Sequence, residues 1–367
     1  MRNLKLGFIG LGLIGGSIAK AAKKMNPDNY IVAYNRSEAS RIEALEDGVA
    51  DVVCDKVDEH FANLDYIFLC TPVEHNISYL ETLKGIISKD TIITDVGSVK
   101  GNIHRAVTKL GMEANFIGGH PMAGSEKTGY RHSNEKILEN AYYPITPTDF
   151  VNKDRIAEMY EFVKGIKAIP IILDYKKHDY AVAGISHVPH LIASTLVNLV
   201  KDNDSDDELM KLLAAGGFKD ITRIASSSPE MWEQICSTNR NNIVKLLTRY
   251  IAALEDIKCS LLTEEFTDVN ALFTKSREYR NSFSNSKGHG PIRELYRIYC
   301  DLADESGAIS KIAGLLAERN INIKNIGIVN NREFENGVLR IEFYEQDERD
   351  AAVNCLLSNN YTIYVND

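Results

Sequence analysis

The sequence lacks the features that mark secreted and membrane proteins. Its 367 residues include 6 cysteines, and no two of them form a Cys-x-x-Cys pair. A disulfide framework or a cysteine-rich metal site is therefore not expected, whereas free thiols in a reducing compartment are. No apolar run approaches the roughly 20 residues that span a bilayer, and the N-terminus has no signal-peptide pattern. We expect a cytoplasmic protein with no bound metal and no membrane partner.

Blocks of basic residues are also absent. Aspartate and glutamate (51) outnumber lysine and arginine (42), which gives a net charge of −9. A nucleic acid or an anionic membrane surface is therefore not expected as the main partner. An anionic small molecule is compatible with this balance, because a few arginine and lysine side chains can outweigh it within a pocket. The length predicts two or three domains.

The first half of the chain alternates short apolar runs with amphipathic stretches. Strands are predicted at residues 6–9, 31–34, 66–70, 91–95, 115–118 and 168–173, and helices at 17–24, 37–47 and 76–87. Strands that alternate with helices in this way form a parallel, doubly wound sheet. Residues 1–173 are therefore predicted to form an α/β domain.

The second half has two further patterns. Apolar residues recur at helical spacing in residues 190–200, 207–215 and 239–262. Ser228-Pro229 has the composition of a helix start. The apolar stripes are wide, which predicts an oligomer interface within an all-helical domain at 174–290. Residues 282–290 are small and polar, as in a linker. From 295 to 367 the predicted order is strand, helix, strand, strand, helix, strand, which indicates a small α+β domain.

A glycine-rich loop follows the first predicted strand. Residues 10–15 read Gly-Leu-Gly-Leu-Ile-Gly, which fits the pattern G-x-G-x-x-G. Such a loop between a strand and a helix brings backbone N–H groups and the positive helix end to the pyrophosphate of a dinucleotide. We therefore expect a Rossmann domain that binds a nicotinamide cofactor. The residues expected to contact it here are Gly10, Gly12, Leu13, Ile14, Gly15, Thr71 and Pro72.

The end of the second predicted strand bears on the choice of cofactor. An Asp or Glu at this position binds the ribose hydroxyls of NAD, but the chain has Asn35, followed by Arg36 and Ser37. Without the carboxylate a 2′-phosphate is not repelled, and Arg36 has the charge to pair with it. Asn35 can also hydrogen-bond a ribose. These three residues are expected to contact the cofactor, and by themselves they leave both NAD and NADP open.

Two polar segments follow strands at the edge where a doubly wound sheet has its binding site. The first reads DVGSVK at 95–100, and the second is the glycine-rich loop around His120. An imidazole can take the proton of an alcohol while hydride leaves for a nicotinamide, so His120 is the expected general base. Ser98 is expected to hydrogen-bond the same hydroxyl, or else to cap a helix. Lys100 is expected to attract an anionic substrate.

The helical region adds a third polar segment. Arg223 is a candidate clamp for a substrate carboxylate, because a guanidinium binds a carboxylate through two parallel hydrogen bonds. The alternative for Arg223 is a surface ion pair with Asp220. His187 and His190 lie on either side of Val188-Pro189. One of these histidines is expected to face the cleft, and the other to be a structural residue.

Taken together, these segments resemble the prephenate dehydrogenase family, whose members make the tyrosine precursor 4-hydroxyphenylpyruvate. The matching segments occur in the family's order over residues 4–240, and they are GLGLIGGS, DVGSVK, GGHPMAGSE, SHVPH and GGFKDITRIASSSPEMW. The resemblance implies a Rossmann domain followed by a helical dimerisation domain, and hence a homodimer. It also implies an oxidative decarboxylation of prephenate: hydride passes from ring C4 to the cofactor, the ring carboxylate leaves as carbon dioxide, and the ring becomes aromatic.

The same resemblance implies roles for individual residues. His120 is the acceptor and base for the C4 hydroxyl, Ser98 assists it, and Arg223 binds a substrate carboxylate. The other residues implied to bind substrate or to orient its polar surroundings are Lys100, Ser125, Glu126, His190 and Asp220. Members of the family mostly use NAD, which favours NAD over NADP for this chain.

Residues 295–367 resemble an ACT domain, through DESGAI at 304–309 and NIKNI at 322–326. Such domains commonly bind an amino acid at a paired interface, with backbone near the glycine turn in contact with it. The implied contacts are Gly307 and Asn325, and tyrosine is the implied regulator because it is the end product of the pathway. The alternative is a module that only aids oligomerisation.

Three other functions are compatible with parts of the sequence. Arogenate dehydrogenase carries out the same chemistry on the amino-acid analogue, and the sequence does not separate the two substrates. A β-hydroxyacid dehydrogenase has a similar layout, but that class resembles a design with a catalytic Lys on the helical domain, which the His120 and Arg223 segments disfavour. A non-catalytic sensor of cofactor or amino acid would not need His120, Ser98 and Arg223.

Overall fold

A five-stranded parallel sheet forms the first part of the chain. The computed structural model describes residues 2–124, 127–283, 296–302, 305–329 and 337–365. The strands of this sheet are β1 (Lys5–Ile9), β2 (Tyr30–Tyr34), β3 (Val52–Cys54), β4 (Tyr66–Leu69) and β5 (Ile92–Asp95). They lie in the order β3-β2-β1-β4-β5, and each neighbouring pair is parallel. This is the strand order of a Rossmann sheet, so the predicted doubly wound α/β fold is confirmed.

Helices cover both faces of this sheet. They are α1 (Leu13–Met25), α2 (Glu38–Glu46), α3 (Val73–Lys84) and α4 (Gly101–Leu110). Phe8 and Phe68 stack on one face with their ring centroids 4.9 Å apart. Ile9 and Leu69 point to the other face, where they join a second apolar cluster. Because both faces are buried, the strands are mostly apolar and do not alternate with polar residues.

Three more strands form a second, mixed sheet. They are β6 (Ile117–Gly119), β7 (Tyr142–Pro147) and β8 (Ile169–Ile172), and α5 (Lys153–Gly165) connects the last two. β6 and β7 are antiparallel, whereas β7 and β8 are parallel. A single bridge between Ile93 and Phe116 places the start of β6 beside β5. The carboxyl ends of β5 and β6 therefore lie next to each other.

The chain continues as a series of helices. They are α6 (Tyr175–Val182), α7 (Val188–Asn203), α8 (Leu209–Leu213), α9 (Gly216–Thr222), α10 (Pro229–Thr238), α11 (Arg240–Leu262) and α12 (Phe266–Ser282). The Ser228 side chain accepts a hydrogen bond from the Met231 N–H, with Pro229 as the first helical residue, so the predicted helix start is confirmed. The chain separates into two compact units, Met1–Phe266 and Thr267–Asp367. The expected boundaries after residues 173 and 290 stay predictions. Residues 284–290 of the expected linker lie outside the described residues.

A π-helical turn at Ala183–His187 joins α6 to α7, so that Tyr175–Asn203 is one continuous helix. By length and composition alone this helix could cross a membrane, although core helices meet the same criterion. The Asp179 carboxylate on it accepts hydrogen bonds from backbone N–H groups at the start of α4. The helix is therefore tied to the α/β sheet by its polar residues.

The second unit contains a four-stranded antiparallel sheet. Its elements are β9 (Tyr296–Leu302), α13 (Ala308–Glu318), β10 (Asn325–Val329), β11 (Gly337–Phe343), α14 (Gln346–Ser358) and β12 (Ile363–Tyr364). The strands lie in the order β10-β11-β9-β12. Alternate residues of β9 and β11, such as Ile298 and Ile341, pack against the two helices. The predicted β-α-β-β-α-β order is confirmed.

Candidate active site

The glycine loop lies at the carboxyl end of β1. Gly10 has a φ of 104°, which favours glycine, and a Cβ there would lie 2.8 Å from the carbonyl oxygen of Cys70. A Cβ on Gly15 would lie 2.2 Å from the carbonyl oxygen of Gly10, so this glycine lets α1 approach the loop. Gly12 is the N-cap of α1, and a Cβ on it would meet open space. The loop and the helix N-terminus therefore have room for a pyrophosphate.

Asn35 holds this loop from the end of β2. Its Oδ1 accepts a hydrogen bond from the Leu11 N–H at 3.0 Å. The Arg36 side chain is exposed, whereas the Ser37 hydroxyl oxygen caps α2 by accepting from the Ser40 N–H. Within the described ranges, the Asn35 amide NH2 and the Arg36 guanidinium are the groups of this trio that have no hydrogen-bond partner and could meet a ribose.

Thr71 and Pro72 form the connection from β4 to α3. The Thr71 methyl carbon lies 2.9 Å from the position of a Cβ on Gly10, which places it beside the glycine loop. The Thr71 hydroxyl donates to Oδ1 of Asn76 at 2.6 Å, and Asn76 is buried. Sequence reasoning did not identify Asn76, because a single Asn in a helix has no distinctive spacing.

Asp95 and Lys100 form a buried ion pair at the carboxyl end of β5. The Lys100 ammonium donates to the Asp95 carboxylate and, at 2.6 Å, to the carbonyl oxygen of Gly119. Asp95 also accepts from the N–H groups of Gly97 and Gly119. Burial lowers the pKa of Lys100, and Asp95 opposes that shift. The pair ties the 96–100 loop to the residue before His120.

The expectation that Lys100 attracts an anionic substrate is therefore corrected. Its side chain is 0% exposed, and Asp95 neutralises its charge. A fully enclosed ammonium has no surface with which to contact a ligand. The sequence pattern placed Lys100 in the correct loop. It could not show that Asp95, five residues earlier, forms an ion pair with the Lys100 ammonium.

His120 follows β6 and belongs to a chain of polar side chains that reaches into α6. His120 Nδ1 lies 2.8 Å from His178 Nε2, and His178 Nδ1 lies 2.9 Å from Asp179 Oδ1. Asp179 also accepts from the backbone N–H groups of Lys100 and Gly101, each at 2.8 Å. Sequence reasoning missed His178 and Asp179, although an adjacent His-Asp pair at the start of the helical region is a signal that could have been noted.

Burial lowers the pKa of His120 well below its usual value, and the nearby Lys100 ammonium acts in the same direction. His120 is therefore neutral at pH 7 and able to accept a proton. Within the part of the chain that the structure describes, its Nε2 has no hydrogen-bond partner, whereas its Nδ1 has one. The geometry leaves Nε2 for a ligand.

Ser98 lies half-buried in the 96–100 loop, between Asp95 and Lys100. The N-cap of α4 is Lys100, and Asp179 accepts the first N–H groups of that helix. Ser98 is therefore not a helix cap, so the alternative role considered for this residue is not observed. Its hydroxyl has no hydrogen-bond partner among the described residues.

The two histidines of the long helix differ in their surroundings. His187 is 1% exposed, lies 3.1 Å from the Asn239 amide through Nδ1, and burial lowers its pKa to about 4. His190 is half-buried, bonds the Ser186 carbonyl through Nδ1, and stacks on Trp232 with 3.9 Å between ring centroids. His187 thus has a structural environment, and His190 is the histidine with free surface.

Arg223 begins the 3₁₀ turn Arg223–Ser226, which packs against α7. Both Arg223 and Asp220 are exposed. No ion pair joins them within the described ranges, so the alternative of a surface pair is not observed. The structure does not bring Arg223 into contact with His120, His178 or Asp179. The assignment of Arg223 as a carboxylate clamp stays a prediction. Ser125 and Glu126 lie outside the described residues.

The two residues expected to regulate the protein lie in the second unit. Gly307 has a φ of 88° and is the N-cap of α13. Asn325 donates to the buried carboxylate of Glu342 at 3.0 Å. Burial alone would raise the pKa of Glu342, but hydrogen bonds from Asn325 and Arg297 hold that pKa below its usual value.

Two protein-family models match this chain. Residues 18–172 match the model of the prephenate dehydrogenase nucleotide-binding domain, and residues 174–275 match that of the prephenate dehydrogenase dimerization domain. A prephenate dehydrogenase of Bacillus subtilis (strain 168) is 37% identical over 349 residues, which are 95% of this chain and 94% of that protein.

Two solved structures have the same fold over most of the chain. The prephenate dehydrogenase from A. aeolicus, in complex with hydroxyphenyl propionate and NAD+, is 28% identical with a TM-score of 0.71; the match covers 77% of this chain and 99% of that one. Synechocystis arogenate dehydrogenase is also 28% identical with a TM-score of 0.70, over 76% of this chain and 100% of that one.

Proposed function

Since the chain belongs to the prephenate dehydrogenase family, we propose that it oxidises and decarboxylates prephenate to 4-hydroxyphenylpyruvate, with NAD as the cofactor. The observation that carries the proposal is His120. It is a neutral imidazole with Nε2 available for a ligand. It follows β6, whose carboxyl end lies beside that of β5, at the edge of the parallel sheet where the glycine loop also lies. Ligands bind doubly wound sheets at this edge.

His120 and the residues around it have separate roles in the reaction. When bound, NAD+ supplies the acceptor for the hydride from ring C4. His120 Nε2 accepts the proton of the C4 hydroxyl, and the Ser98 hydroxyl donates a hydrogen bond to the oxygen of that group. The Asp95–Lys100 pair holds the loops of both residues in place. Because the product ring is aromatic, orientation and proton acceptance are the protein's main tasks.

The cofactor proposal extends to the residues of β2. Asn35 already uses Oδ1 to hold Leu11, so its amide NH2 is the group that would donate to a ribose hydroxyl. Arg36 is exposed and would be the contact for a 2′-phosphate. We expect NAD to be used in preference to NADP, and Arg36→Ala to reduce any residual activity with NADP while leaving that with NAD unchanged. Initial rates with each cofactor test this.

The carboxylate end of the substrate is assigned to Arg223 and His190. Both are located near α7, and both have exposed surface. Asp220 precedes Arg223 by one helical turn and would orient it, and Ser125 and Glu126, just after the His120 loop, would complete the polar lining. Lys100 supports this site indirectly, from within the core.

One assay tests the main proposal. Protein, prephenate and NAD are mixed, and the absorbance of the reduced nicotinamide is followed, with arogenate in a parallel arm. We expect turnover of prephenate to exceed that of arogenate, because the Bacillus subtilis relative that matches over almost the whole chain is a prephenate dehydrogenase. Absence of turnover with prephenate under either cofactor would refute the proposal.

The C-terminal unit is proposed to bind tyrosine as a feedback inhibitor. The support is its β-α-β-β-α-β fold, together with the left-handed Gly307 at the start of α13. Gly307 and Asn325 are the proposed contacts. Isothermal titration of the full-length protein with tyrosine is expected to show binding, and Asn325→Ala to weaken it. A titration without heat would leave the unit with only a role in assembly.

We also propose a homodimer that acts in the cytoplasm. The helices of the region matched by the dimerization model expose large apolar side chains, including Ile185, Leu213 and Ile251. Apolar area of this kind is usually covered by a partner. Because the dimerization model covers residues 174–275 of this same chain, a second copy is the expected partner.

A further inference from the structure

His120 is the last member of a hydrogen-bonded series whose other members have no assigned role. Asp179 anchors the series. Its carboxylate accepts the backbone N–H groups of Lys100 and Gly101 at the N-terminus of α4, each at 2.8 Å. Two N–H donors at a positive helix end are suitable hydrogen-bond partners for a carboxylate. Asp179 is 5% exposed, so water does not compete for these bonds.

The protonation of both histidines follows from this anchor. An ionised carboxylate can only accept hydrogen bonds, so His178 must donate to Asp179 through Nδ1–H. When His178 carries this one ring proton, its lone pair is on Nε2, which lies 2.8 Å from His120 Nδ1. His120 must therefore donate through its own Nδ1–H. The lone pair of neutral His120 is left on Nε2, the nitrogen with no partner in the described part of the chain.

We propose that His178 and Asp179 are positioning residues that hold His120 in the tautomer whose Nε2 accepts the substrate proton. This inference rests on the proposed function for the role of His120 as a base. When the proton of the C4 hydroxyl bonds to Nε2, the O–H bond breaks and His120 becomes an imidazolium. The positive charge strengthens the Nδ1–H bond to His178, and Asp179 stabilises it through His178. No proton leaves Nδ1 in this step.

Other charged groups surround the series. Asp95 lies on β5, Lys100 at the start of α4 and His187 in the π-helical turn, and the first two neutralise each other. His187 is neutral at pH 7, since burial lowers its pKa to about 4. The Asp179 carboxylate is therefore the charge that His178 connects to His120.

The tautomer can be measured without any substrate. Nitrogen-15 NMR of histidine-labelled protein distinguishes a ring nitrogen that carries a proton from one that does not, and His120→Asn identifies the signals of His120. We expect wild-type His120 to have the proton on Nδ1 at pH 7, and His178→Gln to lose this fixed state. A proton on Nε2 in the wild type would overturn the proposal, whether or not prephenate is a substrate.

The kinetic consequence is tested with His178→Gln and Asp179→Asn. We expect kcat to fall roughly 100-fold in each, the effect of losing an oriented base, with NAD affinity unchanged. In Asp179→Asn the acid limb of the plot of kcat against pH should move to lower pH, because the His120 imidazolium loses the negative charge that stabilises it. His178→Gln keeps the contacts of Asp179 to α4 and so covers the case in which Asp179→Asn does not fold.

His104→Gln is the matched control. His104 is 5% exposed on α4 and bonds Thr146, outside the series. Its replacement removes a buried imidazole of similar packing but should leave the acid limb in place. Turnover of His178→Gln within twofold of the wild type, with an unmoved acid limb, would overturn the proposal. A wild type that does not turn over prephenate would instead refute the proposed function.

Discussion

Lys100 and Asp95 show how one side chain can serve a site that it does not touch. The Lys100 ammonium is enclosed and holds the carbonyl of Gly119, the residue before His120. Removal of one partner of a buried ion pair leaves the other charge unpaired, which is strongly destabilising. Replacement of Lys100 should therefore change the stability of the protein and its kcat, and not its affinity for the substrate.

Lys100→Met is expected to lower the free energy of unfolding by about 3–5 kcal/mol and kcat about tenfold, with little change in KM for prephenate. The double variant Asp95→Asn/Lys100→Met should recover part of the stability, because it leaves no lone charge. Urea unfolding and initial rates measure both effects. A large rise in KM with stability intact would restore the direct substrate contact that the sequence suggested.

Arg223 should show the opposite kinetic signature. Arg223→Ala is expected to raise KM for prephenate at least tenfold, about 1.4 kcal/mol of binding, because a charge-assisted carboxylate bond is lost. Stability should not change, since the side chain is exposed. Lys219→Ala, an exposed cation on α9 one turn earlier, is the control and should leave KM unchanged. Equal KM values for both variants would remove the clamp assignment.

Some site residues could be predicted from the sequence because their chemistry is local. Gly10, Gly12 and Gly15 follow a strand at fixed spacing, and His120 follows another strand within a glycine-rich loop. His178 lies 58 residues after His120 along the chain. No local pattern connects the two, so only the contact between α6 and the loop after β6 reveals the pair.

At the scale of elements, the long helix Tyr175–Asn203 connects the two ends of the proposed site. Its first turns carry His178 and Asp179, and its middle carries His187 and His190. Pro189 has no N–H and cannot complete the usual backbone bond within a helix. The π-helical turn widens the helix just before it, with the Val188 N–H bonded to the Ala183 carbonyl. Widened turns of this kind are frequent at functional sites.

Sequence patterns predicted the long strands well and two short or interrupted ones not at all. β3 has 3 residues, too few for a periodic signal. β7 contains Pro144 and Pro147, and proline argues against a strand because it has no N–H to donate. β7 nevertheless forms, since it pairs with β6 on one side and β8 on the other. Such pairings lie far apart along the chain and are not visible in a local window.

Two of the buried histidines, His104 and His187, predict a stability that depends on pH. Burial lowers the pKa of His104 and of His187 to about 4 each. In the unfolded chain a histidine titrates near 6.5, so the folded protein binds fewer protons between the two values. The contribution is therefore complete above about pH 6.5 and is lost as the pH falls toward 4. The contribution of each histidine to the free energy of unfolding should fall by on the order of 2 kcal/mol by pH 5.

Urea unfolding at pH 7 and pH 5 measures this loss. His104→Gln cannot be protonated at this position, so its stability should differ less between the two pH values than that of the wild type, by on the order of 2 kcal/mol. An equal pH dependence in the two proteins would show that His104 is not a buried neutral histidine.

At the scale of the whole molecule, the exposed apolar side chains of α11 predict the assembly. Val244, Ile251 and Leu254 lie on one face of this helix and are each at least half exposed. Ile251→Asp is expected to convert a dimer to a monomer in light scattering after size exclusion. Phe150→Asp, which changes an exposed apolar residue between β7 and α5, should leave the dimer intact. A dimer that tolerates Ile251→Asp would place the interface elsewhere.

The composition and charge of the whole chain restricted its class, but the assignment of its reaction depends on a few side chains. The same Rossmann fold serves many reactions, so the fold alone does not select one. The combination of family membership with a neutral, oriented His120 does. The step that defines this assignment is the transfer of the hydroxyl proton of prephenate to His120 Nε2.

The most direct test compares the wild type with His120→Asn in the formation of reduced nicotinamide from prephenate and NAD. We predict that kcat falls by a factor of about 100 to 10,000 in His120→Asn, the range for loss of a general base, while the dissociation constant for NAD is unchanged. Turnover of His120→Asn close to that of the wild type would contradict this prediction.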